Sequence, residues 1–583
     1  MSPSRTSALL AVLCLGVLFS TGSAAGAVIA CPGTPPASIS PVTSSAGAVR
    51  NGSPRYANYK GVTIPLIGQS NEYICHISQP DRATEYCTLD NYISVLNTMQ
   101  ANKNNLLRLW AVLNNSPGIA NPSRGNPYLN EQPFKWVNGK WDLNQKDTDY
   151  FTNLEKVVCE AYNRDIIVEV TLLDPWCNPW SSSPFNQANT VVPQTGVQLG
   201  FPASTGRRFF ASFENTTTKT DPTYSATRDK QKEAVANTVL ALKKYPNVIF
   251  EISNEPDFIP SEVSGVAVAH VMDWQAAMLA VVQTNDSSTS PHMIEINGHT
   301  ATSFGWNVPA AKMASSHYTQ IVSDSNLFGA IEEQRSSIAS IAAGRPTRIL
   351  SFNENRWASI KNVSTTDPFY RTADAVRSEA WEFMLNGGGA FDGYTLDRNG
   401  VESKKVLPQL GVLSTFLNPV FYNKIGLQKL DAMQQTSCNG TSDWCRGVPA
   451  WGNSDEGSCG GSGARILWST LKSGTELALY VHHGVFQSDL PGGGKFDAYQ
   501  ARLCGNGTST GYSLPVTGSS AFQYRVPQAG CWTERWLDPR TGLVLASTFR
   551  GNLAASNWMT PVTVRKFTHD ILFFATYGCP MGL

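Results

Sequence analysis

The chain has 583 residues, and its 45 Lys and Arg are matched by 45 Asp and Glu, so the formal net charge is zero. With charged residues at only 15 %, no basic footprint is left for a polyanion, which argues against a nucleic-acid partner. Fifteen Trp and 19 Tyr in so weakly charged a chain suit an extracellular protein that meets neutral polar ligands, or any well-packed β-rich secreted protein.

In chain order, Arg5 and the apolar run Leu9–Phe19 precede small residues at Ser23-Ala24-Ala25 and Ala25-Gly26-Ala27. This is the layout of a secretory leader, so residues 1–27 are read as a signal peptide and the protein is expected to be secreted. No later window of about 18 uninterrupted apolar residues suggests a transmembrane segment. Residues 28–54, rich in Pro, Ser and Thr, read as a linker or ordered arm.

Over residues 55–420, strand-length apolar runs alternate with helix-length amphipathic stretches. The strand candidates are Val62–Ile67, Asn105–Trp110, Ile166–Thr171, Val248–Ile252, His292–Asn297, Lys312–Ser316, Arg348–Phe352 and Ala390–Tyr394. Helix candidates include Thr148–Tyr162, Thr227–Lys244, Val263–Thr284, Ile331–Ala343 and Ala373–Leu385. Eight strands separated by helical crossovers predict an α/β fold, a (β/α)₈ TIM barrel. Two long loops, Ala111–Lys146 and Leu172–Thr227, follow the second and third strands and so fall on the carboxyl face, where barrels keep their active sites.

Residues 421–583 differ in texture. Gly-rich turns separate the alternating runs Ala464–Leu471, Glu476–His482, Ala521–Arg525, Gly530–Leu537, Leu543–Ser547 and His569–Ala575, which predict an antiparallel β-sandwich domain. Within it, Trp536-Leu537-Asp538-Pro539-Arg540-Thr541-Gly542 reads as a type I hairpin turn, with Pro presetting φ and Gly completing the reversal. Apart from Cys14 in the leader, the cysteines fall into two even groups, Cys75, Cys87, Cys159 and Cys177, then Cys438, Cys445, Cys459, Cys504, Cys531 and Cys579. That pattern predicts disulfides within each domain, formed in an oxidising compartment. Cys31 is left over, and Val28-Ile29-Ala30-Cys31 loosely matches a lipobox, so lipid anchoring there is a minor alternative.

The chemistry concentrates at two strand ends. Val248–Ile252 stops at Asn254-Glu255-Pro256, where Pro cannot continue the ladder. Arg348–Phe352 stops at Asn353-Glu354-Asn355-Arg356-Trp357. An ionised Glu at the tip of a buried strand demands a reason, and glycosidic cleavage supplies one: it needs one carboxyl group to protonate the leaving oxygen and another to attack or to activate water. The plain alternatives are a capping or ion-paired Glu255 and a Glu354 paired with Arg356. Glu251 and Glu295, inside strand patterns, look structural.

With these two motifs the barrel region resembles the clan A retaining glycoside hydrolases. It is closest to the cellulase- and mannanase-like (family 5-like) members, and a turn of the W-x-D-P-x-T-G kind occurs in β-sandwiches appended to some barrel glycosidases. The resemblance implies that Glu255 is the acid/base, Glu354 the nucleophile, and Asn254 a ligand of the sugar 2-OH. It also implies that Arg108 holds the nucleophile ionised and that His317 and Tyr318 form an aromatic face beside it. His317 and Tyr318 are adjacent where cellulase-like members carry His-x-Tyr, and Phe391-Asp392-Gly393-Tyr394 stands where the family has a strand-eight Trp.

Trp110, Trp176, Trp180, Trp306 and Trp357 lie at or beyond strand ends and are candidates for stacking on sugar faces, with core packing the alternative for each. Asn297 and Asp174 are candidates for sugar hydroxyls. No metal-ligand spacing, nucleophile elbow or phosphate loop is present, so no metal and no cofactor is expected, only a carbohydrate substrate, with the protein a monomer. The function that follows is hydrolysis of a β-glucan- or β-mannan-like glycan with retention. The alternatives are a transglycosylase on the same fold and a catalytically silent carbohydrate-binding or cell-wall protein.

Overall fold

In the computed structural model of the chain, the described residues are 31, 38–41, 49–50, 53–54, 56–70, 89–111, 132–174, 183–191, 199–201, 220, 222–256, 268–286, 291–298, 308, 310–317, 348–354, 373–385, 387–394, 403–428, 430, 434–435, 444–446, 467–482, 521–559, 561–563, 565 and 570–579. Short apolar and β-branched runs form eight strands: β1 (Leu66–Ser70), β2 (Leu106–Trp110), β3 (Ile167–Leu173), β4 (Val248–Ser253), β5 (Met293–Gly298), β6 (Met313–His317), β7 (Ile349–Glu354) and β8 (Ala390–Tyr394). Each pairs in parallel with the next and β8 pairs with β1, closing the barrel.

Crossover helices follow β1 (α1, Leu89–Ala101), β2 (α2, Thr148–Tyr162), β3 (α3, Pro222–Leu242), β4 (α4, Val268–Asn285), β7 (α5, Ala373–Leu385) and β8 (α6, Ser403–Leu417). Asp147 starts α2 as its N-cap, accepting from the backbone N–H groups of Asp149 and Tyr150 at 3.0 Å. The helix expected at Ile331–Ala343 lies outside the described residues.

The first strand differs from its sequence reading. Val62–Ile64 belongs to a small antiparallel sheet with Ala57–Tyr59 and Ser40–Pro41, and the barrel strand starts only at Leu66. Pro65 divides them, because it has no N–H to give to a ladder, and its carbonyl is taken instead by the Asn105 side chain at 2.9 Å. Ile39, Ala57, Tyr59 and Ile64 pack against the lowest layer of the barrel: Leu66, Leu106, Ile167, Ile249, Met293, Met313, Ile349 and Ala390. The small sheet therefore plugs the amino end, and the carboxyl end is left for chemistry.

The C-terminal region contains β9 (Leu467–Lys472), β10 (Glu476–His482), β11 (Gly530–Leu537), β12 (Val544–Leu553) and β13 (Asp570–Tyr577). With Gln434–Gln435 these form a six-stranded antiparallel sheet, and a three-stranded sheet lies in the same region. Alternation along β10 and β13 explains why both faces of the larger sheet are buried. Leu477, Leu479, Val481, Ile571, Phe573 and Ala575 face the small sheet. Ala478, Tyr480, Leu572 and Phe574 merge with the barrel core instead. There Trp381 of α5 stacks on Tyr480 with ring centroids 5.3 Å apart, and Phe416 of α6 meets Phe574 edge-on. A buried Arg377–Asp570 fork (2.8 and 2.9 Å) joins the two regions, with Tyr480 donating to the same carboxylate.

The turn at 538–542 is tied by the Asp538 side chain, which accepts from the Arg540 N–H and the Thr541 hydroxyl, while Gly542 takes the left-handed φ of +73°. Cys531 is bonded to Cys579 within the C-terminal region. Cys31 is not left over: it is bonded to Cys159 on α2, stapling the arm to the barrel and leaving no thiol for a lipid. Cys159 is therefore unavailable to the group in which the sequence placed it.

Candidate active site

Period-two alternation turns every second residue of each strand into the barrel. Above the apolar floor the inward positions become polar: Arg108 on β2, Glu169 on β3, Glu251 on β4, Glu295 on β5, Ser315 on β6, Ser351 on β7 and Asp392 on β8, all buried. One step higher come Trp110, Thr171, Asn297 and Asn353, and then the strand tips.

Arg108 is the hub. Its Nε and Nη2 donate to the two oxygens of Glu251 at 2.8 and 2.7 Å, and Nη2 also donates to Asn254 Oδ1 at 2.9 Å. Nε lies 3.1 Å from Glu169 Oε1 as well. The guanidinium sits 4.2 Å from the centre of the Trp110 ring, within cation–π range. Thr171 donates its hydroxyl to Glu251, and Asn297 Nδ2 does so at 2.7 Å.

At the tip of β4 the ladder ends: Asn254 N–H still reaches the Leu173 carbonyl at 3.3 Å, and Glu255 then swings to φ +40°. A left-handed Glu immediately before Pro is sterically costly and persists only where its surroundings hold it. One holding contact is Asn297 Oδ1, which accepts the Glu255 backbone N–H at 3.1 Å. Asn297 Nδ2 also lies 3.3 Å from Asn353 Oδ1, and Asn353 Nδ2 donates to Glu169 Oε1 at 2.9 Å. A single carboxamide thus links the backbone of Glu255 to the residue beside Glu354. Both carboxylate-bearing positions belong to the same end of the barrel.

Burial dominates the proton affinities below. It pushes the Glu169 carboxyl up to about 7, with the Glu251 charge adding to the rise and Arg108 opposing it. Burial, then the charges of Glu169 and Glu251, raise Glu295 well above the ordinary carboxyl range. Among the described residues no three His, Cys, Asp or Glu side chains are grouped to hold a metal ion, and no helix is long and apolar enough to cross a membrane.

Of the residues singled out from the sequence, Glu255, Asn254, Arg108, Trp110 and Asn297 are brought together here and are buried. Glu354 closes β7 with its Cα paired to that of His317 at the end of β6, while the side chains of both lie outside the described residues. So do Tyr318, Trp176 and Trp357. Both ends of the Asn297 carboxamide are used inside the protein, which makes it a support for the site. Trp110 is 6 % exposed, and its indole N–H has no hydrogen-bond partner among the described residues. The sequence reading missed Glu169 and set Glu251 and Glu295 aside. The signal that could have found them is the spacing, since each stands two residues beyond an apolar floor residue, level with Arg108.

No family model matches the chain, and no curated protein does. Solved structures do. One described as a glycoside hydrolase is 11 % identical, with a TM-score of 0.50 over 91 % of this chain and 96 % of its own. A glycoside hydrolase family 5 protein from Bacteroides vulgatus is also 11 % identical, with a TM-score of 0.50 over 92 % of this chain and 94 % of its own. At that identity the likeness is one of architecture, and it spans the barrel and the C-terminal region together. The chain has the (β/α)₈ fold with an attached β-rich domain that these glycoside hydrolases have.

Proposed function

We propose that the protein is a secreted retaining glycoside hydrolase, family 5-like, acting on a β-glucan- or β-mannan-like glycan. The observation that carries this reading is the Asn297 bridge between the Glu255 backbone and Asn353, the neighbour of Glu354. It draws the tips of β4 and β7 to one site, as double displacement requires. The fold likeness to glycoside hydrolases supports it. An amino-terminal leader-like segment and the disulfides suit an oxidising compartment.

In the first step Glu354 attacks the anomeric carbon, and Glu255 gives its proton to the departing glycosidic oxygen. In the second, Glu255 takes a proton from water, whose oxygen displaces Glu354 and releases the sugar with its configuration retained. Asn254, oriented by Arg108, hydrogen-bonds the 2-OH, a bond that strengthens in the transition state. Arg108 contributes positive potential beneath the site, favouring an ionised nucleophile. Trp110, Trp176 and Trp357 are offered as stacking surfaces, and His317 and Tyr318 as the face beside Glu354.

The test is Glu354→Gln assayed on a polysaccharide panel with activated aryl glycosides alongside. The rate should fall by several orders of magnitude, and for a smaller replacement such as Glu354→Gly, azide should restore turnover as a glycosyl azide. NMR of the first-formed anomer reports retention. Native-like turnover by Glu354→Gln would remove that residue from the mechanism, and tight glycan binding with no turnover by the native chain would favour the silent binding protein.

A further inference from the structure

Glu169, Glu251 and Glu295 are fully buried beside Arg108. The strand register sets Arg108 against Glu169 and Glu251 against Glu295. Glu251 is well supplied with donors by Arg108, Thr171 and Asn297. Glu169 receives Arg108 and Asn353 on Oε1 alone. Among the described residues, no donor faces its Oε2 or either oxygen of Glu295. These two carboxyl groups lie within hydrogen-bonding reach of each other.

An ionised carboxylate can only accept, so two ionised groups in contact would place acceptor against acceptor, out of water, with the Arg108 guanidinium already shared with Glu251. A carboxylic acid donating to a carboxylate removes the conflict, as in other buried carboxyl pairs. We propose that Glu169 and Glu295 share one proton at neutral pH, and that the protonated pair is a positioning element that seats Asn353 and Arg108, and through them Asn297 and Asn254, beneath Glu255. The raised proton affinity of both groups accords with this. Among the described residues, the other charged groups at this level are Arg108 on β2, Glu251 on β4 and Asp392 three strands away on β8, with Ser315, Ser351 and Gly68 at the same level of β6, β7 and β1. The positioning half of the proposal rests on the glycosidase reading, and the shared proton does not.

For a carboxyl raised in the folded state, the folded chain binds more protons than the unfolded one above about pH 4.3. The stability this gives is fully present below that pH and is lost as pH rises through about 7, the Glu169 value, with Glu295 raised in the same direction. The test uses the full chain as native protein and as Glu295→Gln, Glu169→Gln and Glu295→Leu. Infrared spectra near pH 6 in H₂O and D₂O should show a protonated-carboxyl C=O band that shifts on deuteration and is lost in Glu295→Gln. The thermal midpoint should fall between pH 5 and 8 in the native chain and much less in Glu295→Gln, whose amide donates permanently to Glu169. kcat should drop in Glu295→Leu and be restored by Glu295→Gln. Absence of the band, its survival in both glutamine variants, or identical pH profiles for native and Glu295→Gln would overturn the shared proton, and equal kcat in the two Glu295 variants would overturn the positioning role. If Glu295→Leu does not fold, a Glu295→Gln kcat indistinguishable from native supports the positioning role, and a large loss overturns it. A native chain that shows the band yet cleaves no glycan would refute the glycosidase reading alone.

Discussion

Replacing Asn297 by alanine tests the link between the buried network and Glu255, the proposed acid/base. The substitution leaves the Glu255 backbone N–H without its 3.1 Å acceptor and removes one donor from Glu251. Leaving a buried donor unpaired costs about 1–3 kcal/mol, and Glu255 loses a contact that helps hold it at φ +40°. If that energy appears in the transition state, kcat/KM falls by about 5- to 150-fold, at about 1.4 kcal/mol per factor of ten. Asn297→Asp keeps an acceptor for the N–H but sets a carboxylate against Glu251. It should therefore recover less activity as pH rises and more where the introduced carboxyl is protonated. The assay is steady-state kinetics on an aryl glycoside, with the thermal midpoint measured on the same samples. A kcat/KM within about twofold of native for a folded Asn297→Ala would refute the inference that this carboxamide positions Glu255, and so would a change confined to KM.

Asp570→Ala removes the carboxylate that Arg377 and Tyr480 share where the C-terminal sheet meets the barrel. Stranding a buried guanidinium costs about 3–5 kcal/mol, so calorimetry should show a markedly lower midpoint, while kcat measured well below that temperature stays near native. Glu354→Gln should abolish turnover without lowering the thermal midpoint. Cys159→Ser opens a disulfide that spans 128 residues, with a loss of up to about 4–5 kcal/mol. Peptide mapping of the unreduced native chain should recover Cys31 joined to Cys159, and recovery of Cys31 with another partner would refute that staple. Glu295→Gln should flatten the decline of stability between pH 5 and 8, read from thermal midpoints across that range.

Sequence periodicity by itself determined the eight-strand order, the extents of α2 and α5, the hairpin of Trp536–Gly542 and the strand-tip positions of Glu255 and Glu354. These features are local: a buried strand declares itself by its apolar run, and Pro256 ends one wherever it occurs. The start of β1 was misread because Val62–Ile67 is apolar apart from Thr63 and only the missing N–H of Pro65 divides it. The pairing of Cys31 with Cys159 was missed because grouping by sequence proximity carries no information about an arm that returns to α2.

Only closure of the barrel put Arg108, Glu169, Glu251 and Glu295 around one another, since four separate strands supply them and their level depends on the register between strands. The same holds for Asn297, which looked like a ligand for a sugar hydroxyl until both ends of its amide were found in use within the protein. The face of β10 and β13 that lies on the barrel was equally hidden, because alternation marks two apolar faces without saying what covers each. One chain segment can specify which residues point inward. Which of them then meet is settled by contacts between segments far apart in sequence, and here those contacts fix where the buried charge and its proton reside.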